Sequence, residues 1–166
     1  MPNMTILAPK APGEMAAAMK YALNVKGPVA IRYPRGGNCI EQVYFNDYTS
    51  TGFKTLKAGN NMAILAVGRM VEVALQVKEL LSMQGVELAV IEAPCIQPLP
   101  KEEIVALAED YDYLFTLEDG IIQGGFGEKV FATLALSSKA MKGHCFAHES
   151  GLVPHGKVSA LFEREK

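Results

Sequence analysis

The chain has 166 residues, of which 49% are apolar and 20% charged, and its formal net charge is −2. These values are typical of a globular protein of one or two small domains. They argue against a nucleic-acid partner, since no stretch supplies the clustered Lys and Arg that phosphates require. They also argue against a membrane protein, since no apolar run approaches the roughly 20 residues that cross a bilayer.

The cysteines and the first residues bear on the compartment. Cys39, Cys95 and Cys145 are few, odd in number and far apart, a pattern that favours reduced thiols over a disulfide framework. The opening MPNMTILAPKAPGEM lacks a basic stretch followed by an apolar one, so it does not resemble a secretion signal. We therefore expect a cytoplasmic protein.

The first predicted elements form one β-α-β unit. Strands at Met4–Leu7 and Val29–Tyr33 flank a helix, and its crossover favours parallel pairing of the two strands. The helix is indicated by Met15, Ala18, Met19 and Ala22 at helical spacing, with Pro12 and Glu14 in its first turn. From Gly36 to about Thr51 the periodicity disappears, which predicts a linker between two units.

The rest of the chain alternates strands with helices. Met62–Val67 is a nearly continuous apolar run, as expected of a strand covered on both faces. The other predicted strands are Phe53–Leu56 at an edge, Glu87–Ile91, Tyr113–Leu117 and His144–His148; the predicted helices follow Gly68 and Pro100 and span Lys129–Leu136 and Val158–Phe162. This order predicts an α/β, three-layer sandwich around a mostly parallel, mixed five-strand sheet.

Four segments of the chain carry a family resemblance: GPVAIRYPRG at 27–36, MAILAVG at 62–68, QPL at 97–99 with EEI at 102–104, and TLED at 116–119 with GGFG at 124–127. In this order they resemble segments of 1-deoxy-D-xylulose-5-phosphate synthases, which belong to the transketolase superfamily. The first segment is similar to the strand and turn that close the family's pyrimidine-binding domain. The resemblance implies two parts, residues 1–47 as the tail of a pyrimidine-binding domain with a linker, and residues 48–166 as a transketolase-type C-terminal domain.

The resemblance also implies a function. The full-length enzymes are transferases that use thiamine diphosphate and Mg²⁺ to join pyruvate to glyceraldehyde 3-phosphate, a step in isoprenoid and thiamine biosynthesis. The family holds its cofactor with a Gly-Asp-Gly motif and an activating glutamate, both upstream of the matched region. Because this sequence has no Gly-Asp-Gly, we expect no cofactor to bind and no turnover in this chain alone. The implied partners are the upstream cofactor-binding domains and a second copy, in a homodimer formed through the C-terminal domain.

Arg35 is the leading candidate site residue. A guanidinium presents paired donors that match a phosphate, and it stays charged at any relevant pH. At the end of a strand beside Gly36, it could point into the crevice where α/β folds collect ligands. The resemblance implies that Arg35 grips the phosphate of glyceraldehyde 3-phosphate; the alternative is an ion pair across the domain boundary.

Two neighbours of Arg35 are further candidates for site or interface contacts. Arg32 and Tyr33 lie on opposite faces of one predicted strand. Arg32 is interpreted chiefly as an ion-pair partner, and Tyr33 as a packed side chain with its hydroxyl satisfied.

The segment Gly120–Gly127 follows the Tyr113–Leu117 strand. Glu118 and Asp119 could act as acid and base, but carboxylates there more often cap the next helix. Gly124 and Gly125 could cradle a phosphate at a helix N-terminus, although tight packing or a dimer contact is favoured.

Histidines complete the set of candidates. His144 and His148 are four apart but predicted on a strand, about 13 Å from each other, so a metal site is not favoured. His155 precedes the last helix, where it could neutralise a carboxylate or simply form a turn, which we favour.

Two rival functions stay open. One is a transketolase or a 2-oxoacid dehydrogenase component. The other is a non-catalytic interaction module that docks on a separate, cofactor-bearing subunit.

Overall fold

The computed structural model describes residues 3–34, 47–149, 155–157 and 160–161. Eight strands and four helices lie in these ranges: β1 (Thr5–Leu7), α1 (Pro12–Asn24), β2 (Val29–Ile31), β3 (Lys54–Lys57), β4 (Met62–Val67), α2 (Met70–Ser82), β5 (Leu88–Ala93), β6 (Cys95–Gln97), α3 (Lys101–Asp110), β7 (Tyr113–Ile121), α4 (Phe126–Leu136) and β8 (Lys142–His148). None of the helices in these ranges is long and apolar enough to cross a membrane.

A five-stranded sheet in the order β3-β5-β4-β7-β8 is the centre of the fold. Strands β5, β4, β7 and β8 run parallel, while β3 pairs with β5 in the antiparallel sense at one edge. All six residues of β5 and five of the six in β4 are buried, since helices cover both faces of these central strands. The predicted mixed sheet and three-layer α/β fold are confirmed.

The two helical layers divide the side chains of the sheet between them. On one face, α2 packs Val71 and Ala74 against Ile64 and Val90. On the other face, α3 and α4 pack against the opposite side of the same strands, in a cluster that includes Leu65, Ile91, Ile104, Leu114 and Val130. The alternation of neighbouring residues Ile64 and Leu65 between the two clusters follows from the two-residue period of a strand.

The β-α-β unit was predicted correctly, and the structure adds a third strand to its sheet. Strands β1 and β2 pair in parallel across α1, as the crossover predicted. The unpredicted strand β6 then adds to β1 in the antiparallel sense, so the small sheet has the order β2-β1-β6. Because β6 directly follows β5 of the large sheet, main-chain hydrogen bonds tie the first unit to the second across the predicted boundary at residue 47.

Other differences concern exposure and strand length. Strand β7 runs to Ile121 and therefore includes Glu118, Asp119 and Gly120, which were expected after its end. Met19, one of the residues at helical spacing on α1, is 54% exposed, and Leu80 on α2 is 62% exposed. Most of the predicted linker and most of the predicted closing helix at Val158–Phe162 lie outside the described residues.

Candidate functional site

The strand order creates a crevice at one edge of the large sheet. From β4 the chain moves to β5 on one side, and later to β7 on the other, so connections leave the carboxyl ends of β4 and β7 in opposite directions. Ligands of open α/β sheets bind at such a switch point. Gly68 and Arg69 follow β4 at this edge, and Asp119 lies near the end of β7.

Arg32 from the first unit reaches into this crevice. Its guanidinium forms an ion pair with Asp119, and its main-chain N–H donates to the carbonyl of Leu7 at 2.8 Å. The predicted ion-pair interpretation of Arg32 is therefore confirmed. Pro34, Val67 and Arg69 help to line the small space around the pair, about 20 Å³ in volume.

A larger cavity lies on the other side of Arg32. Its volume is about 220 Å³, and its polar and charged lining comes from Arg32, Glu118 and Lys129, with Gly124 and Gly125 at one wall. The apolar remainder of the lining is Ile6, Ile96, Ile121 and Phe126. Both predicted units thus contribute to this cavity, which we call the junction cavity.

Main-chain N–H groups of the glycine segment at the junction cavity already donate hydrogen bonds to carboxylates of the chain itself. Glu118 accepts a hydrogen bond from the main-chain N–H of Gly127 at 2.9 Å, and Glu128 accepts one from that of Gly124. The predicted capping role of Glu118 is confirmed. These carboxylates take donors that a phosphate would need at the N-terminus of α4.

Close packing explains two of these glycines. A Cβ at Gly127 would collide with Thr116 on β7 and Cys145 on β8, and one at Gly125 with the carbonyl of Ile121. The favoured interpretation, tight packing of a helix on the sheet, is confirmed. A role of Gly124 and Gly125 in contacts with another chain stays a prediction.

The remaining predicted residues do not join one site. Arg35 and its neighbour Gly36 lie outside the described residues. Tyr33 was expected to pack, but it is 66% exposed, so that prediction was wrong; the strand ends two residues earlier, at Ile31. His155 is exposed, and its proposed role stays a prediction.

The two histidines of β8 lie on the strand, as predicted. The ring of His144 packs edge-on against Phe146, with 4.9 Å between ring centroids. Within the described ranges, no three or more His, Cys, Asp or Glu side chains are grouped so that they could hold a metal ion.

A buried ionic cluster was missed by the sequence analysis. The ammonium of Lys10 forms ion pairs with Glu14, in the first turn of α1, and with Glu92 of β5, the latter at 2.9 Å. The three side chains are each at most 1% exposed. Tyr48 and Cys95 are buried beside them. The signal in the sequence was a glutamate within the otherwise apolar strand LAVIEA.

Burial dominates the electrostatics of this cluster. It raises the pKa of Glu92 despite the opposing effect of Lys10, with Glu14 raising it further. Burial and the neighbouring Glu14 and Glu92 also raise the pKa of the Tyr48 hydroxyl. The pKa of the Cys95 thiol is raised by burial as well, which outweighs the lowering effect of the main chain of Gln97 and Ile6. Every shift favours the neutral form.

A family model matches most of the chain. The family described as "Transketolase, C-terminal domain" matches residues 52–160, which include the whole five-stranded sheet. The chain therefore belongs to the transketolase C-terminal domain family.

Particular relatives extend the likeness to the first unit. The chain is 34% identical over 163 residues to a 1-deoxy-D-xylulose-5-phosphate synthase of Clostridium tetani, and 36% identical over 167 residues to one of Pelotomaculum thermopropionicum. The alignments cover 98% and 99% of this chain but only 26% of each relative. The chain thus spans about a quarter of the length of these curated relatives.

Solved structures agree with this placement. A chain of a split gene transketolase, an inactive beta4 tetramer, matches with a TM-score of 0.86 and 25% identity, over 99% of this chain and 53% of that one. A transketolase from Pichia stipitis shares the fold, with a TM-score of 0.73 and 20% identity over 98% of this chain and 23% of that one.

Proposed function

We propose that this chain contributes the C-terminal part of a thiamine-diphosphate-dependent 1-deoxy-D-xylulose-5-phosphate synthase, and that it is inactive alone. The observation that carries the proposal is the similarity to such synthases along almost the whole chain, while only about a quarter of each relative is matched. The complete enzyme would join pyruvate to glyceraldehyde 3-phosphate. The activity would require polypeptide that forms the rest of the pyrimidine-binding domain.

The first unit offers a surface that such polypeptide would cover. Helix α1 exposes Met19 and Leu23, which are 54% and 87% accessible and lie on one face, four residues apart. Beside it, all three residues of β2 are partly exposed, and no strand among the described residues pairs with its outer edge. An apolar helix face beside an open strand edge is typical of a surface that another segment covers.

The described residues do not fit thiamine diphosphate with Mg²⁺. The spaces beside Arg32 measure about 220 and 20 Å³, below the roughly 300 Å³ at which small-molecule pockets begin. A larger open groove of about 680 Å³ between α4 and β8 is lined by Glu128 and His144 but by no Lys or Arg, and anionic phosphates favour cations. We therefore assign cofactor binding to the missing polypeptide and derive no step through it here.

The role of this chain would be to complete and position the site. Arg35 would grip the acceptor phosphate, as the family resemblance implies. Arg32 would hold the chain that leads to Arg35 against the large sheet, through its ion pair with Asp119. Arg32 is thus a positioning residue in this proposal, not a catalytic one.

The proposal includes a cytoplasmic homodimer formed through the C-terminal domain. Strand β8 is an edge of the large sheet, and Phe146 on it is 46% exposed. Ile121 and Leu136, in the neighbouring β7 and α4, are also exposed. A strand at the edge of a sheet, with an exposed aromatic side chain, supports self-association, because its main-chain groups can pair with a second chain.

One alternative has a specific observation in its favour. The transketolase chain that shares this fold is described as the product of a split gene and as an inactive beta4 tetramer. This chain could dock on a separate subunit that carries the cofactor. The proposed chemistry is unchanged, but the upstream part would then be a second polypeptide.

Reconstitution with three sets of substrates tests the proposed function. The chain is combined with the upstream polypeptide of its own gene or operon, and product formation is measured with thiamine diphosphate and Mg²⁺. We expect turnover with pyruvate plus glyceraldehyde 3-phosphate and none with either part alone. Turnover only with ketose phosphate donors, or only with a lipoyl acceptor, would instead identify a transketolase or a 2-oxoacid dehydrogenase component.

A further inference from the structure

The buried ionic cluster joins the first unit to the large sheet at a second place, separate from the ion pair of Arg32 and Asp119 in the crevice. Lys10 lies between β1 and α1, Glu14 on α1, and Glu92 on β5. Tyr48 and Cys95 close the cluster from the segment before β3 and from β6. Five parts of the chain therefore meet around one enclosed set of titratable groups.

The two carboxylates of this cluster share one ammonium. Lys10 forms ion pairs with both Glu14 and Glu92, in a region that is closed to solvent. Lys54 of β3, next to Glu92 in the sheet, is partly exposed, and its effect on Glu92 is smaller than that of Lys10. A buried carboxylate that shares its cation with a second carboxylate is expensive to ionise, so such a group tends to stay neutral.

The hydrogen bonds of Glu92 point the same way. Its Oε2 atom accepts from Lys10 at 2.9 Å, whereas its buried Oε1 atom has no hydrogen-bond partner among the described residues. Glu14 accepts from both the ammonium and the main-chain N–H of Lys10, so its charge is better satisfied. An ionised Glu92 would leave charge on an oxygen without a donor, which the neutral acid avoids.

We propose that the cluster is a proton-dependent latch between the first unit and the large sheet. Glu92 is the neutral acid while the first unit is packed on the large sheet, which we call the seated state. It loses its proton when this contact separates, which we call the open state. In the seated state Lys10 and Glu14 form an ion pair within the first unit, and Glu92 accepts the hydrogen bond of Lys10 without adding a negative charge. Ionisation of Glu92 puts a second negative charge beside Glu14 and weakens the contact between the first unit and the large sheet.

The direction of the pH effect follows from linkage. Because the pKa of Glu92 is raised in the folded chain, the seated state binds more protons than the open one. The stability that this proton supplies is fully present below the ordinary pKa of a glutamate. It is lost as the pH rises through the folded pKa, and within that window the opening constant changes by up to about tenfold per pH unit.

The rate of thiol labelling of Cys95 reports directly on the equilibrium between the seated and open states. Cys95 is 0% exposed and belongs to β6, the strand that holds β1. In a background with Cys39→Ser and Cys145→Ser, the labelling rate of Cys95 is measured from pH 4.5 to pH 8.5, with and without Glu92→Gln. The Gln variant keeps the shape of the side chain and cannot ionise, so the ratio of the two rates removes the ionisation of the thiol itself.

We expect the ratio of the wild-type rate to the Gln-variant rate to rise with pH through the Glu92 window and then to level off. A ratio that is independent of pH would overturn the latch, as would a ratio that falls with pH. A carboxyl ¹³C NMR titration of Glu92 in the unmodified chain needs no variant: an inflection above the ordinary glutamate range supports the latch, and one at or below that range overturns it. Glu87→Gln is the matched control, since the pKa of exposed Glu87 is lowered by its hydrogen bond to Lys78.

Discussion

Replacement of Lys10 by Met is expected to lower the free energy of unfolding by about 3–5 kcal/mol, because it removes the ammonium that pairs with the buried Glu14 carboxylate and donates a hydrogen bond to Glu92. Lys10 forms ion pairs with both Glu14 and Glu92. The measurement is urea denaturation of the 166-residue chain near pH 7. The loss is expected to shrink toward acidic pH, where the carboxylates can be protonated.

A surface pair supplies the control for this prediction. Lys139 forms an ion pair with Glu109 at the same 2.9 Å separation as Lys10 and Glu92, but the side chains are 40% and 61% exposed. Lys139→Met is expected to change stability by no more than about 0.5 kcal/mol, since solvent screens such pairs. Equal effects of the two substitutions would show that burial of the cluster does not determine its energetics.

Replacement of Leu65 by Ala is expected to cost about 2–5 kcal/mol, since it removes buried methyl groups and leaves a cavity. Leu65 is fully buried at the centre of β4, where it packs in the cluster formed with α3 and α4. The midpoint of urea denaturation should fall while the dependence on urea concentration stays unchanged, as expected when the fold is kept.

Leu136 is the matched control for Leu65, because the same substitution is made at the exposed end of α4. It is 89% exposed, and Leu136→Ala is expected to change stability within about 0.5 kcal/mol. A cost at Leu136 that matches the cost at Leu65 would contradict the placement of the core between the large sheet and its helices.

The layers of the fold were predictable because their signals are local. Strand β4 and helix α2 follow one another within residues 62–82, and burial on both faces leaves a continuous apolar run in the strand. The capping of α4 by Glu118 was predictable for the same reason, since the partners are nine residues apart. Local spacing also predicted the parallel pair of β1 and β2.

The partner residues in the contacts that join the two units could not be predicted, because they are distant in sequence. Lys10 and Glu92 are 82 residues apart, and Arg32 and Asp119 are 87 apart, so no spacing rule relates them. Strand β6 has only three residues and is recognisable by its pairing with β1 alone. Tyr33 was wrongly expected to pack, since strand periodicity does not tell whether both faces are covered.

Calorimetric titration of thiamine diphosphate with Mg²⁺ tests the central claim most directly. Injected into the chain alone, the cofactor is expected to give no binding heat at micromolar concentrations, because the proposed function assigns its site to the upstream polypeptide. The same titration into the chain together with its upstream polypeptide should give saturable binding. Micromolar binding to the chain alone would contradict the account.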